Sequence, residues 1–245
     1  MASRGVVCLF PTCLVNEVHP EAGMAAARVL ERLGFEVVVP DGLTCCGQPA
    51  YNAGFQDDAR LVVRHTLRVL AATDGPIVIP SGSCADMLTH QYVELLKDDP
   101  EDLERARRLA ARCREFSQFV AENGGMDLAA RLKARVAYHP SCHLLRGLGV
   151  RDQPRALLRA IDGVESAPVA DQEECCGFGG LFSIKNAEIS GSMLDRKLHA
   201  IAASGADRLV SCDLGCLMHL EGGLRRRGAA IKTQHLAELI DEAIT

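Results

Sequence analysis

With a formal net charge of −5 over 245 residues, the chain lacks the basic character that a general nucleic-acid-binding protein shows. Aromatic residues make up 4% of the chain and tryptophan is absent, so few side chains could stack on single-stranded bases. No stretch approaches the ~20 apolar residues needed to span a bilayer, and the N-terminus shows no signal-peptide pattern. We therefore expect a cytoplasmic globular protein with no nucleic-acid partner and no membrane span.

The first half of the chain alternates between short apolar runs and longer amphipathic segments. The predicted strands cover 5–10, 36–39 and 77–79. The predicted helices cover 21–33, 56–72, 84–96 and the charged segment 101–122. Asn123-Gly124-Gly125 follows and is the best candidate for a linker.

The second half repeats this order of elements. Its predicted strands cover 134–138, 166–169, 208–211 and 230–233. Its predicted helices cover 154–161, 187–204, a segment ending near residue 227, and 236–244. Alternating strands and helices indicate mostly parallel sheets with helices on both faces. The sequence therefore predicts an α/β fold with modules at 1–125 and 126–245.

Cysteine is unusually frequent, with eleven residues in the chain. Because the cytosol keeps thiols reduced, clustered cysteines there are more often metal ligands or redox groups than disulfides. The cluster Cys45-Cys46-Gly47 recurs as Cys175-Cys176-Gly177, with one cysteine before and one after each copy. Equivalent cysteines are 129, 130 and 132 residues apart. The matched sets are Cys13, Cys45, Cys46 and Cys84, and then Cys142, Cys175, Cys176 and Cys216.

This repeat predicts two tandem Rossmann-like modules with parallel sheets, related by internal duplication. In each module the matched cysteines follow predicted strands, and loops after parallel strands gather at the carboxyl edge of the sheet, where ligands bind. Structural zinc sites usually use closely spaced cysteine pairs. Adjacent cysteines are better placed to reach different atoms of a larger group, such as an iron–sulfur cluster held by four thiolates. Glycine after the pair would let the backbone approach that group.

The remaining cysteines and the histidines have weaker support as ligands. Cys8 is expected in the core and Cys113 on the charged helix, while Cys212 stays open as an additional ligand. The histidines near the matched cysteines have no equivalents in the other copy, and we interpret them as surface or hydrogen-bonded residues. They are His139, which aligns with Phe10, and His90, His143 and His219. No phosphate loop, dinucleotide fingerprint or nucleophile elbow is present, so no catalytic residue is assigned.

Five segments carry a family resemblance: 9–13, 45–49, 80–84, 175–180 and 215–219. They resemble the cysteine-rich CCG domain family, and within it they are most similar to the lactate utilisation proteins. The family also includes subunits of heterodisulfide reductase, anaerobic glycerol-3-phosphate dehydrogenase and glycolate oxidase. The resemblance implies an iron–sulfur subunit that passes electrons, together with companion subunits, during oxidation of L-lactate to pyruvate.

The same resemblance implies that the eight matched cysteines hold the clusters. Heterodisulfide reductase modules end in C-x-x-C, whereas this chain has Ser81 and Asp213 at the first cysteine of that pair. Four thiols per module favour a [4Fe–4S] cluster in each, although zinc in one module stays open. Two further functions also stay open: a thiol–disulfide or 2-hydroxy acid oxidoreductase, and a zinc-stabilised scaffold without activity.

Overall fold

A computed structural model describes residues 3–244, and its first half contains a four-stranded parallel sheet. The spatial order of the strands is β2-β1-β3-β4. The strands are β1 (Val6–Leu9), β2 (Glu36–Val38), β3 (Ile77–Ile79) and β4 (Cys113–Glu115). All three residues of β3 are buried, as expected for an interior strand covered on both faces.

The second half contains a second parallel sheet with the same connectivity. The spatial order of its strands is β6-β5-β7-β8, and all neighbours are parallel. The strands are β5 (Arg131–His139), β6 (Asp162–Ser166), β7 (Arg208–Ser211) and β8 (Lys232–His235). The prediction of an α/β fold with two similar modules is confirmed.

Helices flank both sheets. Those of the first half are α1 (Cys13–Glu17), α2 (Pro20–Arg32), α3 (Gln48–Ala53), α4 (Gln56–Ala71), α5 (Gly82–Asp86), α6 (Tyr92–Leu95), α7 (Pro100–Arg112) and α8 (Phe116–Glu122). Those of the second half are α9 (Gln153–Ala160), α10 (Leu181–Lys185), α11 (Ala187–Ala203), α12 (Leu214–Arg226) and α13 (Leu236–Ile244). Two π-helical turns, Met87–Gln91 and His143–Gly147, and a 3₁₀ turn, Gly125–Asp127, complete the description. Within residues 3–244, no helix is both long and apolar enough to cross a membrane.

Helix α2 illustrates how the local sequence forms these elements. Pro20 occupies the first helical position, where its fixed φ angle fits and its missing N–H is not needed. Ala22, Ala26 and Val29 then recur at helical spacing and are fully buried. The helix therefore presents one apolar face to the sheet and its polar face to solvent.

The charged segment 101–122 is not the single helix that the sequence favoured. Helix α7 ends at Arg112, and residues 113–115 form β4, which pairs in parallel with β3. The Glu115 carboxylate then accepts hydrogen bonds from the backbone N–H groups of Ser117 at 2.8 Å and Gln118 at 3.3 Å, which caps α8. A three-residue strand between two helices is too short to interrupt the helical pattern of the sequence.

Other element boundaries also differ from the sequence-based expectations. Strand β6 covers 162–166, not 166–169, and the short helices α3 and α10 were not predicted. The two sheets also share a hydrophobic cluster that contains Leu30 of α2 and Leu239 of α13. Helix α13 packs against α2, and Arg28 Nε donates to Asp241 Oδ2 at 2.9 Å. The division of the chain at residue 125 stays a prediction.

Candidate metal centres

The first set of matched cysteines, Cys13, Cys45, Cys46 and Cys84, comes together beyond the carboxyl ends of β1 and β3. Cys13 begins α1, directly after Thr12, whose hydroxyl caps the helix. The Sγ atoms of Cys13 and Cys45 are 3.9 Å apart. The thiol of Cys46 interacts with both Cys45 and Cys84. The adjacent pair therefore divides its contacts, one cysteine facing Cys13 and the other facing Cys84. We call these four residues the first quartet.

The second quartet, Cys142, Cys175, Cys176 and Cys216, has the same arrangement beside the second sheet. Cys142 follows β5 and precedes the π-helical turn, and Cys216 lies in the first turn of α12. Cys175 interacts with Cys142 and Cys176, and Cys176 interacts with Cys216. The structure thus brings together all eight cysteines that the repeat predicts, four beside each sheet.

A glycine follows each cysteine pair for a conformational reason. Gly47 has a φ angle of 89° and Gly177 a φ angle of 91°, a region that residues with a Cβ atom rarely adopt. This conformation directs the N–H of each glycine toward the first cysteine of the pair. The distances to the Sγ atoms of Cys45 and Cys175 are both 3.4 Å.

Hydrogen bonding favours the thiolate at one cysteine in each quartet. The thiols of Cys13 and Cys46 donate to Cys45, and with the N–H of Gly47 they lower the pKa of Cys45. The thiols of Cys142 and Cys176 lower the pKa of Cys175 in the same way. Because the thiolate is the form that ligates metals, Cys45 and Cys175 are the cysteines of the two quartets most readily deprotonated for metal binding.

Both quartets line one cleft of about 270 Å³ between the two modules. That volume is slightly below the range of roughly 300–1,000 Å³ typical of small-molecule pockets. The cleft is also lined by Thr12, Ser83, Ser141, His143 and Asp213. A compact inorganic group and a small acid fit this size better than a dinucleotide does.

Hydrogen bonds across the cleft connect the loops that carry the final cysteine of each quartet. The Asp213 carboxylate accepts from the backbone N–H of Ser83 at 2.9 Å and from that of Gly215 at 3.1 Å. Ser81 donates to the same carboxylate at 3.4 Å. Ser81 and Asp213, the two positions that depart from the C-x-x-C pattern, are thus N-caps of α5 and α12.

A second connection joins the helical turns that follow Cys84 and Cys142. The buried Asp86 carboxylate accepts from His143 Nδ1 at 2.7 Å and from His90 Nδ1 at 2.8 Å. Burial alone would raise the pKa of Asp86, but these two histidines lower it, and the bond to Asp86 raises the pKa of His143. Gly147 permits the approach, since a Cβ atom there would lie 2.7 Å from the carboxylate.

The surroundings of the second quartet are more polar than its sequence suggested. Lys197 is buried, and its Nζ donates to the carbonyl oxygens of Asp171 at 2.8 Å and Gln172 at 3.0 Å. Its positive charge interacts with the thiols of the second quartet. Lys197 was missed because, in the sequence, it reads as one more polar position of an amphipathic helix.

His139 differs from its expected environment. The sequence favoured a surface or hydrogen-bonded residue, and that prediction is wrong: the side chain is 2% exposed and neither ring nitrogen has a hydrogen-bond partner among the described residues. Burial lowers its pKa to about 3. The expectation holds for His143 and His90, which bond to Asp86, and for His219, which bonds weakly to Ser190.

The three cysteines outside the quartets lie in the core. Cys8 is in β1 and Cys113 in β4, and both are buried. Cys113 therefore has the inert role predicted for it, but on a strand and not on a helix. Cys212, left open as a ligand, is fully buried beside the Tyr138 hydroxyl at 3.8 Å and does not line the cleft.

The donor sets fit an iron–sulfur group. Each quartet offers four sulfur donors, the set that commonly holds such clusters, and thiolate-rich sites select iron–sulfur or zinc over hard cations. The 3.9 Å between the Sγ atoms of Cys13 and Cys45 is close to the separation of two sulfur ligands of one ion, so the same donors also fit zinc.

The sequence profile of the cysteine-rich domain family, CCG, matches residues 7–89 and 136–221, once in each half of the chain. These segments contain both quartets and more than half of the chain. The chain belongs to the cysteine-rich domain family. This confirms the family resemblance and the duplicated organisation of the cysteine loops.

Similar proteins align with this chain over nearly its full length. The chain is 43% identical over 236 residues to "Lactate utilization protein A" of Halalkalibacterium halodurans, covering 96% of each chain. It is 42% identical to the protein of the same name from a Geobacillus species, covering 96% of this chain and 98% of that one. It is 40% identical to the one from an Exiguobacterium species, covering 97% and 98%.

A solved structure shares the fold of this cysteine-rich domain protein. It is a hypothetical protein from Helicobacter pylori, with a TM-score of 0.68 and 14% sequence identity. The alignment covers 98% of this chain but 49% of the other, so the chain spans about half the length of that structure. At this identity the likeness shows the fold alone.

Proposed function

We propose that this chain is an iron–sulfur electron-transfer subunit of lactate utilisation. In this proposal each module holds one cluster of the [4Fe–4S] type, and the chain acts in the cytoplasm within a multi-subunit complex that oxidises L-lactate to pyruvate. Companion iron–sulfur subunits of the same system are its partners. The observation that carries the proposal is the single cleft lined by two quartets of thiols. The relatives named above support the assignment to lactate.

The ligands of the two clusters would be the quartets. Cys13, Cys45, Cys46 and Cys84 would hold the first cluster. Cys142, Cys175, Cys176 and Cys216 would hold the second. Once bound, such clusters supply one-electron transfer. The N–H groups of Gly47 and Gly177 would stabilise the negative thiolates of Cys45 and Cys175.

The number of quartets agrees with the proposed reaction. Oxidation of lactate to pyruvate releases two electrons and two protons. Two one-electron sites on one cleft match the two electrons, whereas no organic-cofactor motif occurs in the sequence to take a hydride. This correspondence favours an electron-carrying role, with the removal of hydrogen from lactate assigned to a partner.

The first test is anaerobic purification followed by iron, sulfide and zinc analysis with a visible spectrum. We expect a brown protein with about eight irons, since a [4Fe–4S] cluster per module gives that number, and bleaching on reduction. Cys45→Ser and Cys175→Ser should each remove about half of the iron. Cys113→Ala is the matched control because it deletes a buried thiol of β4 away from the cleft, and it should leave the iron content unchanged.

A colourless protein that carries zinc after anaerobic cluster reconstitution would instead favour the scaffold. A second test adds the companion subunits and measures pyruvate formed from L-lactate. Loss of activity in Cys45→Ser and in Cys175→Ser, with activity kept in Cys113→Ala, is the expected result. Turnover of a disulfide substrate by this chain alone would instead favour the thiol–disulfide alternative.

A further inference from the structure

The last residue of β5, His139, has a buried imidazole ring that makes no hydrogen bond within the described part of the chain. It is 2% exposed, and both ring nitrogens lack a hydrogen bond among residues 3–244. Most buried polar side-chain atoms in proteins are paired, because leaving one unpaired is destabilising. A group that is not part of the polypeptide would account for this side chain.

The neighbours of His139 are ligand atoms. One ring nitrogen and the Sγ atoms of Cys176 and Cys216 all lie within 4.8 Å of one another. Metal–nitrogen and metal–sulfur bonds of about 2.0–2.3 Å place two donors on one ion roughly 3.5 Å apart. Small side-chain rotations would therefore bring the imidazole nitrogen and the two thiolates onto a common metal.

The first module offers no equivalent donor. Phe10 precedes Pro11 and stands three residues before Cys13, just as His139 precedes Pro140 and stands three residues before Cys142. Phe10 is fully buried in an apolar cluster that contains Cys46. The two quartets thus differ at one buried position, which has a hydrocarbon ring in one module and an imidazole in the other.

A second difference between the two modules lies beside the second quartet. The carbonyl oxygen of Ala59 faces Gly47, and that of Ser190 faces Gly177 in the equivalent place. Seven residues further along each helix stand Thr66 and Lys197. Thr66 is neutral, whereas Lys197 is a buried cation close to the second quartet. Lys197 therefore makes the surroundings of the second quartet less negative than those of the first.

We propose that His139 is a metal ligand of the second quartet, so that the two modules hold chemically different centres. The first centre is bound by thiolates alone, and the second by thiolates and one imidazole. This inference rests on the proposed function, because it requires that the second quartet binds metal. The buried Lys197 cation favours the reduced form of this centre, because reduction adds a negative charge beside it. The second centre should therefore have the more positive reduction potential.

The test uses the full chain, labelled with ¹⁵N-histidine and reconstituted anaerobically with iron and sulfide. Pulsed EPR of the reduced protein should show hyperfine coupling to a histidine nitrogen, and iron X-ray absorption should show imidazole scattering whatever the spin state. His139→Phe, which copies the first module, should lose both signals, while the second quartet keeps its iron and sulfide. His219→Gln is the matched control, since His219 also lies near this quartet, and it should keep both signals.

The outcomes separate this inference from the proposed function. Normal iron and sulfide in both modules without any histidine nitrogen signal would overturn the ligand assignment and leave the electron-transfer role intact. Failure to bind iron and sulfide would refute the electron-transfer role, and Co²⁺ would then be the probe. A Co²⁺ absorption spectrum altered by His139→Phe, but not by His219→Gln, would uphold the ligand assignment. A spectrum unaffected by His139→Phe, or no Co²⁺ binding, would overturn it.

Discussion

Asp213 should contribute more to stability than its sequence-equivalent Ser81. Asp213 is 5% exposed, and its carboxylate accepts from two backbone N–H groups, one of each module. The Ser81 hydroxyl accepts from one backbone N–H, that of Cys84 at 3.3 Å, and donates to the Asp213 carboxylate at 3.4 Å. Asp213→Ala leaves both N–H groups without an acceptor, at about 1–3 kcal/mol each. We therefore expect the free energy of unfolding to fall by about 2–6 kcal/mol. Ser81→Ala should cost about 1 kcal/mol, the usual value for a lost helix cap.

Asp213→Ser isolates the part of this effect that acts between modules. Serine can still cap Gly215 within its own helix, but its shorter side chain should not reach Ser83. Its destabilisation should therefore lie between those of Ser81→Ala and Asp213→Ala. The assay is urea unfolding of the reduced, metal-free protein followed by circular dichroism, with unchanged m-values as the control for comparable unfolding. Equal losses in Ser81→Ala and Asp213→Ala would show that the carboxylate does not join the modules, and the argument would fail.

Three further predictions concern backbone geometry and pH. Gly177→Ala should destabilise the protein more than Gly47→Ala. Both substitutions replace a glycine at positive φ, which costs about 1 kcal/mol, but only Gly177→Ala also places a Cβ atom 2.7 Å from the Ser190 carbonyl oxygen. Urea titrations of the two variants in parallel should show the difference. Burial raises the pKa of Glu115 from 4.5 to about 7. The contribution of Glu115 to the free energy of unfolding is therefore fully present below pH 4.5 and is lost as the pH rises through 7. Glu115→Gln should then be more stable than the parent protein by about 3 kcal/mol at pH 8, with little difference at pH 4.5, and a pH-independent difference would contradict this. The pKa of Glu242 is lowered to about 2, chiefly by Arg208, so its contribution is present above pH 4.5 and lost as the pH falls through 2. Because Glu242 is partly exposed, Glu242→Gln should cost only about 1 kcal/mol at pH 7, and thermal melts should show this cost disappearing toward pH 2.

The convergence of cysteines could be predicted because it depends on local sequence order. Each quartet is assembled from loops that follow parallel strands, and the position of such loops at one edge of the sheet is a property of the α/β fold. The near-constant offset between the two copies then assigns four cysteines to each module. The cleft shared by both quartets could not be predicted in this way. It depends on the hydrogen bonds of Asp213 and Asp86 and on the packing of α13 against α2, which join residues distant in the sequence.

The break in the segment 101–122 could not be predicted for a different reason. Buried positions keep helical spacing from α7 through β4 into α8, at Ala106, Leu109, Cys113, Phe116 and Val120, and β4 contributes only three residues. What forms β4 is the edge of β3, which offers a row of backbone partners to Cys113 and Glu115. That tertiary contact overrides the helical tendency of the residues concerned.

His139 shows how a duplication can be misread. In the sequence, the absence of a second histidine at Phe10 counted against a ligand, because only features repeated in both modules were taken to belong to the site. The structure gives this difference the opposite meaning. The position is buried beside the thiols in the second module, so a phenyl ring is the unremarkable occupant and an imidazole is the costly one. In a duplicated protein, a polar residue at a buried position that is apolar in the other copy is therefore a reason to look for a specialised role. The histidine nitrogen signal proposed above is the direct measurement of that role.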